Sequence, residues 1–167
     1  KIDFQEQGFI VQTCENQDGL HKLRDKLICL SCEQTGLTNP ENSTEFLDSI
    51  HSQVSPEKIN ELRMHLYNNL NSKEWFKPTY FSFAKTNIEE ITGNELVMQN
   101  RINVNIMMPN DSGSNIPLHV DAHSGESPFQ CVMWLPMTDV RDTKSVFLLP
   151  QEKNKEALKH FKNWMED

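Results

Sequence analysis

Apolar residues recur at helical spacing through the first half of the chain. Leu20, Leu23, Leu27 and Leu30 fall three and four positions apart and predict a helix that Asp18 caps and that closes near Gly36. Phe46, Leu47 and Ile50 predict a shorter helix opened by Ser43 or Thr44. Ser55-Pro56 places a capping residue before a proline in the first turn, and Ile59, Leu62, Leu66 and Leu70 form the apolar stripe behind it. None of these stripes carries a catalytic pattern, so all three read as core. Gly8 to Gln12 is a short apolar piece that reads as a first strand.

From Thr79 the period shortens. Tyr80 to Ala84 is aromatic enough for a strand, and Asn87 to Thr92 reads as a short helix closed by Gly93. Leu96 to Met108 predicts a strand with Ile102, Val104 and Ile106 on one face and Arg101, Asn103 and Asn105 on the other. Turn residues fill 109–115. Further strands are expected at Phe129 to Leu135 and Ser145 to Leu149, stopped by Pro150, and an amphipathic helix at Lys153 to Trp164 through Leu158, Phe161 and Trp164. The expectation is one domain over 1–167, with a helical flank at 1–78 and a β core at 79–167.

Composition narrows the partners. A length of 167 residues with 37% hydrophobic content suits a folded domain with a real core. The net charge of −8 and the scattered Lys and Arg disfavour a nucleic-acid groove. No apolar run is long enough for a membrane helix. The partner expected is therefore a small-molecule substrate, with the oligomeric state left open. Cys29-Leu-Ser-Cys32 has the spacing of a metal or redox pair, but it lies in a helical apolar pattern with no second pair, and reads as ordinary thiols in a reducing cytoplasm. The chain opens at Lys1 rather than Met, which reads as a trimmed version of a longer protein.

The candidate chemistry is His119-Val120-Asp121. In an extended backbone, side chains two residues apart leave one face about 7 Å from each other. An imidazole and a carboxylate so placed are able to lean onto one metal ion, giving two ligands of a two-His, one-carboxylate iron site. His123 is another possible third ligand, but about 13 Å from His119 along a straight strand it shares that ion only if the chain bends at Ala122, and it is expected instead at the pocket or substrate. Gln130 and Trp134 share a face one strand later and are candidate substrate contacts, with core packing the competing role for Trp134. His21, His51 and His65 read as structural or exposed.

The order of a polar-faced strand, His119-Val-Asp121, Trp134-Leu-Pro-Met-Thr-Asp139 and Lys144-Ser-Val-Phe-Leu-Leu-Pro150 resembles the phytanoyl-hydroxylase-like Fe(II)/2-oxoglutarate oxygenases. The likeness extends to the group found sporadically in carbohydrate-biosynthesis clusters. The resemblance covers about Arg101 to Pro150. It implies an α+β, mainly β fold: a double-stranded β-helix (jelly-roll, cupin-like) with N-terminal helices outside. It also implies His119 and Asp121 as catalytic iron ligands, with Fe(II), 2-oxoglutarate and O2 as cofactor and cosubstrates. Hydroxylation of a sugar or sugar-derived metabolite is the implied reaction. Asn103, Asn105, Gln99 and Arg101 are the candidates for holding 2-oxoglutarate, with a structural ion-pair partner the alternative role for Arg101. The family pattern also requires a later His and an Arg. His160, on a helix, fits poorly, so the β core is expected to be incomplete at its C-terminus. The alternatives are a non-oxidative cupin-like sugar-binding protein or epimerase, with His119 and Asp121 as an acid–base pair, or an inactive truncated barrel.

Overall fold

The fold was taken from a computed structural model, which describes residues 2–111, 116, 119–154, 156–157 and 159; the side chains of residues 2, 3, 123 and 124 lie outside that description. The chain divides into two compact units, one formed by 14–139 and the other by 1–13 with 140–167.

In the larger unit, α2 (Gln17–Thr35) carries the leucine stripe, with Leu23, Leu27 and Leu30 buried. Its N-cap is Asn16 rather than Asp18: the Asn16 side chain accepts from the Gly19 amide at 2.8 Å, leaving Asp18 as first-turn charge beside the helix dipole. Gly36 closes the helix at φ 75°, a left-handed conformation that favours glycine, and its amide donates to the Cys32 carbonyl. α3 (Ser43–Asp48) is capped by Asn42, whose side chain accepts from the Thr44 and Glu45 amides. α4 (Pro56–Asn71) follows Ser55 as the Ser-Pro signal predicts and buries Ile59, Leu62, Leu66 and Leu70. These helices, with Phe46, Ile50, Val54, Phe76 and Phe83, form one apolar cluster in which Leu62 is 0% exposed.

Two kinds of departure from the sequence pattern stand out. Tyr80 to Ala84 is not a strand. α5 (Phe76–Phe81) occupies this region, because Phe76, Tyr80 and Phe83 are spaced four and three apart and stack edge to face, with centroids 6.3 and 6.0 Å apart. α6 (Lys85–Thr92) then ends at Gly93, two residues longer at its start than expected. The N-terminus of α2 is tied to this region. Asn16 donates to the Ser82 hydroxyl at 2.8 Å, and the Glu15 carboxylate accepts from the Thr86 amide and hydroxyl.

The second difference overturns the jelly-roll. The structure is 51% helical with no β strand among the described residues, so the mainly β, cupin-like core is incorrect for this chain. The alternating segments are present but lack ladders. Along 102–108, Ile102 is buried and Val104, Ile106 and Met108 pack against the core, while Asn103, Asn105 and Met107 are exposed. What holds this segment is helix side chains. Asn71 pairs with both backbone groups of Ile102, and Arg63 donates from Nε (3.0 Å) and from its terminal nitrogen to the Ile106 carbonyl. The segment 131–136 behaves alike: Met133 and Leu135 pack inward and the Tyr80 hydroxyl donates to the Met133 carbonyl at 2.7 Å. Each apolar alternation thus finds a helix instead of another strand, which satisfies its inward face without a sheet.

The smaller unit contains α1 (Ile2–Gln7), closed by Gly8 at φ 83°, and 3-10 turns at Asp142–Lys144 and Gln151–Lys153. Neither Gly8 to Gln12 nor Ser145 to Leu149 forms the expected strand. Most of the expected C-terminal helix, with His160, lies outside the described residues.

Candidate functional site

The chain passes His119, is extended at Val120 and then tightens into a 3-10 turn at Asp121–Ser124. Gly125, at φ 89°, ends the turn in a conformation that a side chain would strain, and the next amide, Glu126, donates to the Asp121 carbonyl at 3.3 Å. A second turn follows: the Phe129 amide donates to the Ser127 hydroxyl and the Gln130 amide to the Ser127 carbonyl. The two turns fold 121–130 back on itself, so that Gln130 returns to the carboxylate it left nine residues earlier.

Three side chains meet there. His119 Nε2 stands 3.1 Å from Asp121 Oδ1, and Gln130 Nε2 donates to Asp121 Oδ2 at 3.1 Å. The carboxylate is therefore held by both oxygens, one against the imidazole and one against the amide. The His119 and Asp121 side chains are 50% and 41% exposed, so solutes reach the pair directly. The convergence of His119 and Asp121 anticipated from their spacing is present, but a turn at Asp121, not a straight strand, brings it about. Gln130 enters as the partner of Asp121, a role its facing on a strand does not disclose. The signal for it is the turn-rich 124–128 segment, which closes the loop.

The other predicted residues are placed differently. Arg101 is committed to α4, donating to the Asn68 side chain at 3.3 Å and lying over the Tyr67 ring at 5.5 Å, so it has structural contacts, with an amide and a ring rather than the acidic partner expected of an ion pair. Gln99, Asn103 and Asn105 are exposed, with no hydrogen bond to the His119–Asp121 pair among the described residues. Trp134 is 51% exposed, which excludes full core packing. The side chain of His123 lies outside the described residues.

A metal needs more donors than this pair supplies. Among the described residues, no group of three or more His, Cys, Asp and Glu side chains is placed to hold an ion. The Cys29–Cys32 spacing produces no shared site: the Cys29 thiol donates to Glu33 at 3.2 Å and the Cys32 thiol to the Thr38 carbonyl at 3.5 Å. The Glu33 hydrogen bond pushes the Cys29 thiol above its ordinary pKa and burial pushes up Cys32, so both disfavour the thiolate that metals and electrophiles require. A shallow open groove along α2 is lined by Asp18, His21, Asp25, Cys29 and Trp75, with the Lys22 ammonium 4.2 Å over the Trp75 ring. It is apart from the His119 loop in sequence and shares no residue with it.

Comparison with known proteins adds no neighbour: no family model, no curated protein and no solved structure matches this chain. Among the described residues, no helix is long and apolar enough to cross a membrane.

Proposed function

We propose that this chain is an Fe(II)- and 2-oxoglutarate-dependent oxygenase that hydroxylates a small metabolite of the sugar class, with His119 and Asp121 as its iron donors. The observation that carries the reading is the 3.1 Å separation of His119 Nε2 and Asp121 Oδ1. Adjacent ligands of an octahedral ion with bonds of about 2.1 Å stand about 3.0 Å apart, so the two atoms already span one edge of such a site. Gln130 fixes the carboxylate and leaves Oδ1 facing the imidazole, the orientation a shared ion needs. Bound iron would supply the site for 2-oxoglutarate and O2, and this chain's part is to hold that ion and admit substrate along the exposed side of the loop. A carboxylate at position 121 favours oxygen insertion over halogenation, which uses a small residue there in related enzymes. The sugar class rests on the resemblance of 101–150. The reading rests on the site and not on a barrel, since no β strand is present among the described residues.

The direct His119–Asp121 contact favours a second reading, an acid–base pair of a non-oxidative sugar-binding protein or epimerase, in which the same hydrogen bond orients the imidazole. Anaerobic titration with Fe(II) and 2-oxoglutarate separates the two. The oxygenase gives a weak visible metal-to-ligand band that His119→Ala abolishes, and forms succinate on admitting oxygen. Neither band nor succinate overturns it.

A further inference from the structure

The two oxygens of the Asp121 carboxylate are not equivalent. Oδ1 faces His119 Nε2 at 3.1 Å, whereas Oδ2 accepts from Gln130 Nε2 at 3.1 Å. A carboxylate is able to give a cation one oxygen or both, so what stands on the second oxygen matters. The backbone that carries Gln130 is tied on either side. The Gln130 main-chain amide donates to the Ser127 carbonyl at 3.2 Å. Three residues on, Met133 packs against the core and its carbonyl accepts from the Tyr80 hydroxyl at 2.7 Å. The donor on Oδ2 is thus held between a turn and the helical core.

With His119 and Asp121 as metal donors, the reading on which this rests, we propose that Gln130 sets which cation the pair accepts. An N–H held on Oδ2 keeps Asp121 a one-oxygen donor, which suits a small first-row divalent ion and disfavours calcium. The partial positive charge of the amide hydrogen opposes any cation that would use Oδ2, and leaves Oδ1 beside the imidazole. Fe(II) and Co(II) accept an imidazole nitrogen next to a single carboxylate oxygen. Calcium prefers about six to eight oxygens, often both from one carboxylate. Size points the same way. Adjacent octahedral ligands with bonds of about 2.4 Å, in the calcium range, stand about 3.4 Å apart, wider than a pair set at 3.1 Å. The residue type is equally specific. A lysine at position 130 would also donate but would add a charge that repels the ion, and a glutamate would put an oxygen where the N–H stands.

The test is calorimetric titration of the full chain with Co(II), which stands in for Fe(II) without oxidising, and separately with Ca(II). The parent binds Co(II) and prefers it to Ca(II). Gln130→Met keeps the side-chain length and removes the N–H. The ratio of Co(II) to Ca(II) affinity then falls about ten-fold or more, because Co(II) binding weakens and Ca(II) binding does not. Gln130→Glu adds an oxygen and a charge, and shifts the ratio further toward Ca(II). Helical circular dichroism stays unchanged in both, since Gln130 is exposed and lies outside the helices. A residue that only stiffened the loop would, on replacement, weaken both ions together and leave the ratio where it was. That outcome overturns the proposal, as does a parent that takes the two ions equally. A parent that binds neither ion, or whose Co(II) binding survives Asp121→Ala, overturns the reading of His119 and Asp121 as metal donors, and this assignment of Gln130 with it.

Discussion

Asn71 grips Ile102 by both of its backbone groups. The side-chain oxygen accepts from the Ile102 amide at 2.8 Å and the side-chain nitrogen donates to the Ile102 carbonyl at 2.9 Å, while the second hydrogen of that nitrogen reaches the Tyr67 carbonyl at 2.8 Å. One amide at the end of α4 thus does for the following segment what a neighbouring strand does in a sheet. Ile102 is 3% exposed, so its backbone groups have little access to water as an alternative.

Replacing Asn71 by Leu should therefore cost more than its volume suggests. Each buried group left unsatisfied costs about 1–3 kcal/mol. Asn71→Asp keeps the acceptor for the amide but turns a carboxylate toward two carbonyl oxygens, and should also destabilise. Urea unfolding midpoints measure both, and a variant as stable as the parent would contradict the assigned role.

At Gly19 the usual helix preference should invert. Glycine to alanine within a helix normally stabilises by about 1 kcal/mol. A Cβ at Gly19 meets Asn16 Nδ2 and Thr79 Cγ2, both at 2.7 Å, and so displaces the cap or the α2–α5 packing. Gly19→Ala should lower the melting temperature; a rise would mean that the close approach is relieved at no cost.

Tyr80 connects the helical core to the Met133 carbonyl, and burial pushes its hydroxyl up to about 12. The folded chain holds this proton more tightly than the unfolded chain, where tyrosine ionises near pH 10. Its contribution to stability is complete below about pH 10 and is lost as pH climbs through 12. Stability measured across that interval should fall less steeply in Tyr80→Phe than in the parent. Absorbance titration of the phenolates should place one tyrosine near 12 and lose that step in the variant.

The His119–Asp121 pair makes its own demand. If Asp121 needs Gln130 to hold its orientation, Gln130→Ala should weaken Fe(II) binding roughly ten- to hundred-fold by calorimetry, and Asp121→Ala should abolish it. Equal affinity in Gln130→Ala would leave the amide no part in the site.

The helical half is legible in the residues because its signals are local. A stripe at three- and four-residue spacing, a proline in the first turn and a glycine after the last act within a few residues of where they stand, and α2, α3 and α4 follow from them. Caps are less so: Asn16 displaces Asp18 because its amide also reaches Ser82, 66 positions away. The convergence of His119 and Asp121 is equally local, being two residues apart.

Alternation by itself determined that Ile102, Val104 and Ile106 share a face and that this face is buried. It did not determine what buries it. A period of two orients side chains, but a sheet also needs a partner for every backbone group, and that partner is chosen by contacts distant in sequence. Asn71, Arg63 and Tyr80 win that competition here, from helices, and so a strand pattern becomes an extended segment laid on a helical core. Tertiary structure likewise decided that Gln130 would secure Asp121, since only the closure of two turns brings them within 3.1 Å.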